Sequence, residues 1–123
     1  MRVVVLIIFL FMVKVTHAQT NSIEGNWLTS DGERKIAVYK KDDKYFGKIV
    51  WVKDQNKSSE VGKVVITNLE VDGDEYENGT FIMPSDKHSA SCSAKIKSGN
   101  VLRVSIYHGL KIFGHDLYLS KAN

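Results

Sequence analysis

The chain has a single cysteine, Cys92, among its 123 residues. An intramolecular disulfide is therefore excluded, and the fold has to stand on apolar burial. The common catalytic signatures are missing as well. No H-x-H or HExxH pattern offers paired histidines to a metal, no G-x-S-x-G presents a nucleophilic serine, and no glycine-rich loop is spaced to cradle a phosphate. A surplus of one charge is also lacking. Of 17 basic residues two, Arg2 and Lys14, precede position 19, and the remaining 15 stand against 14 acidic ones. Such a balance weakens any nucleic-acid reading. The longest apolar run, Val3 to Val13, is too short for a bilayer span of roughly 20 residues.

That run does suit the core of a secretory leader. Met1 and Arg2 precede it, Lys14 closes it, and Thr16-His17-Ala18 places small residues where a signal peptidase inspects the chain. Residues 1–18 are thus expected to be a signal peptide cut before Gln19, and residues 19–123 a single domain. The protein is expected to be secreted or periplasmic, without stable membrane insertion after cleavage.

From there the apolar residues recur at period two, and polar turn signals interrupt them about every ten residues, the pattern of an antiparallel meander. No helix is indicated. Eight segments follow: Glu24 to Thr29, Glu33 to Lys40, Tyr45 to Lys53, Lys63 to Val71, Glu75 to Met83, Ser89 to Lys97, Val101 to His108 and Lys111 to Leu119. Asp42-Asp43, Asp72-Gly73-Asp74 and Ser98-Gly99-Asn100 between them are hairpin turns. In the sixth segment Ala90, Cys92, Ala94 and Ile96 alternate with serines and lysines, and in the seventh Leu102, Val104 and Ile106 alternate with Arg103, Ser105 and Tyr107. Each has one dry face. Ile49-Val50-Trp51-Val52 is apolar on both faces, which suggests a strand covered outside or facing a partner.

Eight short-linked antiparallel strands leave no unpaired edge if they close into a barrel, which is either filled by side chains or holds one small ligand. This fold class, all-β with one up-and-down eight-stranded barrel, is favoured over a two-sheet sandwich, for which only the loop from Asp54 to Gly62 is long enough to cross over. A closed barrel needs a plug at one end. Trp27, held by Gly25 two residues earlier, fits that role.

Gly25-Asn26-Trp27 at the head of such a meander resembles the Gly-X-Trp signature of lipocalins and the wider calycin group. A second resemblance spans nearly the whole chain. Gly25-Asn26-Trp27, Asp31-Gly32, Tyr45-Phe46-Gly47-Lys48-Ile49-Val50-Trp51, Gly79, Ile82-Met83-Pro84, Cys92, Leu102-Arg103-Val104 and Gly114 look like the family of small exported bacterial proteins known as domain of unknown function 2147. That resemblance implies a lipocalin-like barrel in the bacterial envelope or outside the cell, and no established activity. The chain departs from the family's Tyr-Asp-Pro at Ile82-Met83-Pro84, from its Gly-Lys-Thr-Tyr-like turn at Lys87-His88-Ser89-Ala90, and from its late Trp at Leu119. The Arg that stacks on the floor Trp in many lipocalins is missing, which leaves Lys121 or Arg103 in its place.

Candidates for chemistry are sparse. His88, His108 and His115 with Asp86 and Asp116 lack a ligand pattern, and Asp72, Asp74, Glu75 and Glu77 lack calcium-loop spacing. Cys92 falls on the dry face, where a thiol is an inert small hydrophobe. No catalytic residue, metal or cofactor is assigned, and a hydrolase or metal-dependent enzyme ranks third among the readings. The first is a binding protein for a small lipophilic molecule, its ligand residues being Trp51, Phe81, Ala90, Ala94 and Val104, with Trp27 and Gly25 as the structural plug. The small wall of Ala90, Cys92 and Ala94 either receives bulky neighbours or leaves an apolar void. The aromatics Tyr39, Tyr45, Phe46, Trp51, Tyr76, Phe81, Tyr107, Phe113 and Tyr118 either line such a cavity or fill the barrel, and filling is favoured for a short chain. The second reading is an envelope protein-interaction module that uses the outer face of the strand from Tyr45 to Lys53.

Overall fold

Asp42 and Asp43 both take left-handed backbone, with φ of 52° and 65°, which is what a two-residue type I′ hairpin turn demands. They join β2 (Arg34–Lys41) to β3 (Lys44–Val52). The computed structural model describes residues 22–85, 87–98, 100–109 and 114–122. The signal peptide expected at 1–18, Asp86 and Phe113 lie outside the described residues.

The other strands are β1 (Gly25–Thr29), β4 (Val64–Asp72), β5 (Glu75–Ile82), β6 (Ser89–Ser98), β7 (Val101–Tyr107) and β8 (His115–Ala122). Each pairs with the next in the chain, and β8 returns antiparallel to β1, from Asn26 opposite Ala122 to Thr29 opposite Leu119. The barrel is closed, and the sandwich alternative falls. A 3₁₀ helix at Gln55–Glu60 occupies the polar loop between β3 and β4; Asp54 starts it by accepting a hydrogen bond from the Asn56 amide at 2.9 Å.

Alternation carries Trp27, Tyr45, Leu69, Tyr76, Leu102 and Leu119 into the interior, where all are buried. Irregularities interrupt it in several strands. In β3, Lys35 is opposite Trp51 while Ile36 is opposite Ile49, so Val50 is an extra residue. This bulge keeps Ile49 and Val52 inside but turns both Val50 and Trp51 outward. In β4 and β5, Asn68 and Asn78 take positive φ, 61° and 64°, a conformation asparagine adopts more readily than most residues.

The chain enters at one end of the barrel, which also carries the β2–β3, β4–β5 and β6–β7 turns. Trp27 closes this entry end. It is 1% exposed, its indole N–H donates to the Ile23 carbonyl at 2.9 Å, and Ile23 is itself fully buried. Gly25 runs beneath at φ 133°, a conformation side chains rarely allow, and a Cβ there would come within 3.2 Å of Lys121 Nζ.

Candidate functional site

The opposite end carries the β1–β2 turn, the 3₁₀ helix, the β5–β6 turn, the end of β7 and the start of β8. Between them opens a cavity of about 250 Å³. Its floor and walls come from the inward rows near the strand ends: Ile36, Ile49, Val65, Phe81, Ile106 and Leu117. Its rim carries Thr29, Asp31, Arg34, His115 and Asp116 on one side and Met83, Pro84 and Ser85 on another. The result is an apolar pit under a polar edge.

Local hydrogen bonds hold that edge in place. The Thr29 hydroxyl donates to Asp31 at 2.6 Å and accepts from the Arg34 amide at 3.1 Å, while the Glu33 amide donates to the same Asp31 oxygen at 2.9 Å. These two donors, the hydroxyl first, hold the Asp31 carboxyl below its usual range. The Ser105 hydroxyl donates to Asp116 at 2.8 Å. Arg34 reaches across to the 3₁₀ helix with a two-pronged ion pair: Nε to Glu60 Oε1 at 2.7 Å and Nη2 to Oε2 at 3.2 Å. Glu60 is only 8% exposed. Its bond to Arg34 pulls its carboxyl below the ordinary value and pushes the guanidinium up.

Of the residues expected to bind a ligand, Phe81 lines this cavity. Trp51 does not: the bulge sends it outside, 38% exposed, under the Lys35 ammonium at 5.2 Å. Ala94 and Val104 are buried deeper in the barrel, away from the cavity lining. Ala90 borders a shallow outer groove with Thr80, Ser91 and Tyr107. The small wall receives bulky neighbours instead of leaving a void. Tyr76 is opposite Ala94 and meets Tyr45 edge-on, with centroids 5.0 Å apart. Leu69 fills the space over Gly79, where a Cβ would sit 2.6 Å from Leu69 Cδ2 and 3.0 Å from Cys92 Sγ.

The aromatics read as filling divide between the two faces. Tyr45 and Tyr76 are interior, whereas Tyr39 and Phe46 stack on each other outside at 5.8 Å and Tyr118 is exposed. Cys92 is fully buried, and burial pushes its thiol up to about 12. Among the described residues, no three His, Cys, Asp or Glu side chains gather closely enough to hold a metal. His115 and Asp116 reach the cavity rim, while His108 borders the outer groove. Sequence reasoning assigns no role in a site to Asp31, in a turn, to Arg34, in the second segment, or to Glu60, in the loop from Asp54 to Gly62. Inward parity near the strand ends was the usable signal for Ile36, Ile49 and Ile106.

The family model described as "Uncharacterized protein conserved in bacteria (DUF2147)" matches residues 25–121. The chain belongs to this family. Its match spans the barrel from Gly25, beside the plug, to Lys121, which lies over Trp27. No curated protein matches the chain. Among solved structures it is similar to protein HP1028 from Helicobacter pylori, described as belonging to the lipocalin family, with a TM-score of 0.70, 13% identity and 85% of each chain covered. At that identity the likeness is one of fold: a lipocalin-like barrel.

Proposed function

We propose that this DUF2147 barrel acts outside the cytoplasm as a binding protein for a small apolar or amphipathic molecule, held in the loop-end cavity and not chemically transformed. The observation that carries the proposal is the cavity itself, with apolar walls at Ile36, Ile49, Val65, Phe81 and Ile106 beneath a rim of hydrogen-bonding groups. At about 250 Å³ it falls just below the roughly 300–1,000 Å³ of drug-sized pockets. It suits a compact guest, or the end of a longer one whose polar head stays at the rim. The rim polar groups have structural partners, Thr29 with Asp31, Arg34 with Glu60 and Ser105 with Asp116, and this supports binding over catalysis. A second reading, an envelope interaction module, is supported by the outward exposure of Val50 and Trp51.

The test follows the methyl NMR signals of Ile36, Ile49 and Ile106 during titration with hexanol, octanoate and octylamine. Saturable shifts confined to these methyls, abolished by Ile106→Phe, are expected. No saturable shift with any of the three probes would count against the binding reading. Export is tested separately by mass spectrometry of the natural protein, with an N-terminus at Gln19 expected and an intact Met1 as the contrary result.

A further inference from the structure

The outer wall at the loop end is apolar across neighbouring strands. Val50 and Trp51 are turned outward by the bulge, and Val61 and Val64 are also exposed. They adjoin one another, since the Gly62 amide donates to the Ile49 carbonyl at 2.7 Å, the Ile49 amide to the Lys63 carbonyl at 2.9 Å, and Lys48 is opposite Val64. The patch continues into a groove formed by Val64, Ile82, Met83 and Pro84. Lysines accompany it: Lys35 lies over Trp51, Lys63 donates to the Pro84 carbonyl at 3.2 Å and with Lys87 borders the groove, Lys48 is opposite Val64 with its ammonium over the Tyr39 ring, and Lys53 and Lys57 follow β3 in the chain.

None of these six lysines is ion-paired to a carboxylate among the described residues, whereas Lys40, Lys44 and Lys95 elsewhere on the barrel pair with Asp43, Glu70 and Asp74. The nearby acids offset part of this charge: Glu60 pairs with Arg34 and is also close enough to feel Lys57 and Lys63, while Asp54, at the start of the 3₁₀ helix, and Glu33, whose carbonyl accepts from the Lys53 amide, keep their negative charges, so lysines remain in excess on this face.

We propose that this face docks on an anionic membrane surface, with Trp51, Val50, Val61 and Val64 entering the headgroup layer and the accompanying lysines meeting anionic headgroups. Charge complementarity selects the occupant: apolar residues and a tryptophan accompanied by an excess of lysines match the layered chemistry of an anionic bilayer interface. The face is also continuous with the cavity, because Val65, Met83 and Pro84 line both the outer groove and the loop-end cavity. A docked barrel would therefore present its opening beside the lipid phase.

The experiment is co-sedimentation of the protein, purified from the exported fraction of expressing bacteria, with vesicles of phosphatidylcholine alone or mixed with phosphatidylglycerol. Binding should require phosphatidylglycerol and disappear as salt is raised, since attraction to surface charge is screened within about 10 Å at 0.1 M. Brominated phosphatidylcholine in the mixture should quench Trp51 fluorescence, and Trp51→Phe should abolish that quenching while the buried Trp27 gives none. Lys53→Glu, Lys57→Glu and Lys87→Glu combined should weaken binding about tenfold or more, while Lys41→Glu with Lys97→Glu should change it little. Thermal melting confirms that these surface variants remain folded. Absence of sedimentation with phosphatidylglycerol vesicles overturns the proposal, as does binding without Trp51 quenching or equal loss in the control pair. Capture of an acidic protein on this face without vesicle binding assigns it to a protein partner and likewise overturns the proposal.

Discussion

Lys121 carries its ammonium 5.0 Å over the ring of Trp27, its direct cross-strand partner between β8 and β1. A lysine thus covers the floor tryptophan. Arg103, the other substitute, is on the outer face of β7, opposite Lys95 and Tyr118. A flexible ammonium over an indole contributes about 0.5–1 kcal/mol where water reaches it, much less than the indole's own burial. Trp27→Ala should therefore cost about 3–5 kcal/mol, the range for removing a buried aromatic, and Lys121→Met under about 1 kcal/mol. Urea unfolding of both variants checks the ranking, and equal losses would show that the cation, not the ring, closes the barrel.

Gly79 faces Leu69 so closely that an added methyl would sit 2.6 Å from Leu69 Cδ2 and 3.0 Å from the Cys92 sulfur. Gly79→Ala should destabilise by about 1–3 kcal/mol, as overpacking does. Adding Leu69→Ala removes the obstructing branch, so the double variant should cost less than the sum of the two single ones, as denaturant midpoints would reveal. Additive losses would mean that the backbone, and not Leu69, sets the limit at this position.

The ion pair from Arg34 to Glu60 ties the 3₁₀ helix to β2, and Glu60→Gln should lower stability at pH 7 by about 1–3 kcal/mol. Glu60 is held below 4.5 in the fold by Arg34, and Asp31 below 3.8 by the Thr29 hydroxyl and the Glu33 amide. A carboxyl depressed by folding stabilises fully above its unfolded value and loses that contribution as pH falls through the folded one. Stability should hold from pH 7 to about 5 and drop below it, and Glu60→Gln should flatten the drop. Parallel pH curves for the two proteins would contradict the assignment.

Cys92 has the opposite sign. Burial raises its thiol from 9.0 to about 12, so its contribution is complete below 9.0 and erodes above it as the unfolded chain ionises first. Native protein should resist iodoacetamide at pH 8 and react after denaturation. Between pH 9 and 11 Cys92→Ala should lose less stability than the parent does, as paired melting curves would measure. Rapid native alkylation would mean that β6 faces its cysteine outward.

Period-two alternation and the turn pairs made the eight strands readable from the chain, because each inner residue has a polar neighbour that marks its phase. That mark is absent from Ile49-Val50-Trp51-Val52, where every residue is apolar. Nothing local showed that Val50 is the extra one, and Trp51 was accordingly placed inside. The cavity was misplaced for a related reason. The small residues Ala90, Cys92 and Ala94 signal room, but Leu69, packed over Gly79, and Tyr76 occupy it from elsewhere on the barrel, and only their cross-sections decide between a void and a fit. The pair Arg34 and Glu60 spans 26 positions and leaves no periodic trace. Trp27, by contrast, was legible because a bulky apolar residue after a glycine at the chain's entry into a barrel has few other places to go.

The extra residue in β3 has a consequence for how such a barrel can acquire a new surface. Inserting one amino acid into a strand shifts the side-chain frame on one side of the insertion, so residues can be turned outward while the interior beyond them resumes its old assignments. Val50 and Trp51 face solvent, yet Ile49 and Val52 remain buried on either side. An outer patch can widen by a single codon's insertion, with no compensating change in the residues that hold the barrel together. Removing that codon would restore plain alternation, with Ile49 in, Trp51 out and Val52 in, and would narrow the patch by one residue while the interior stayed as it is.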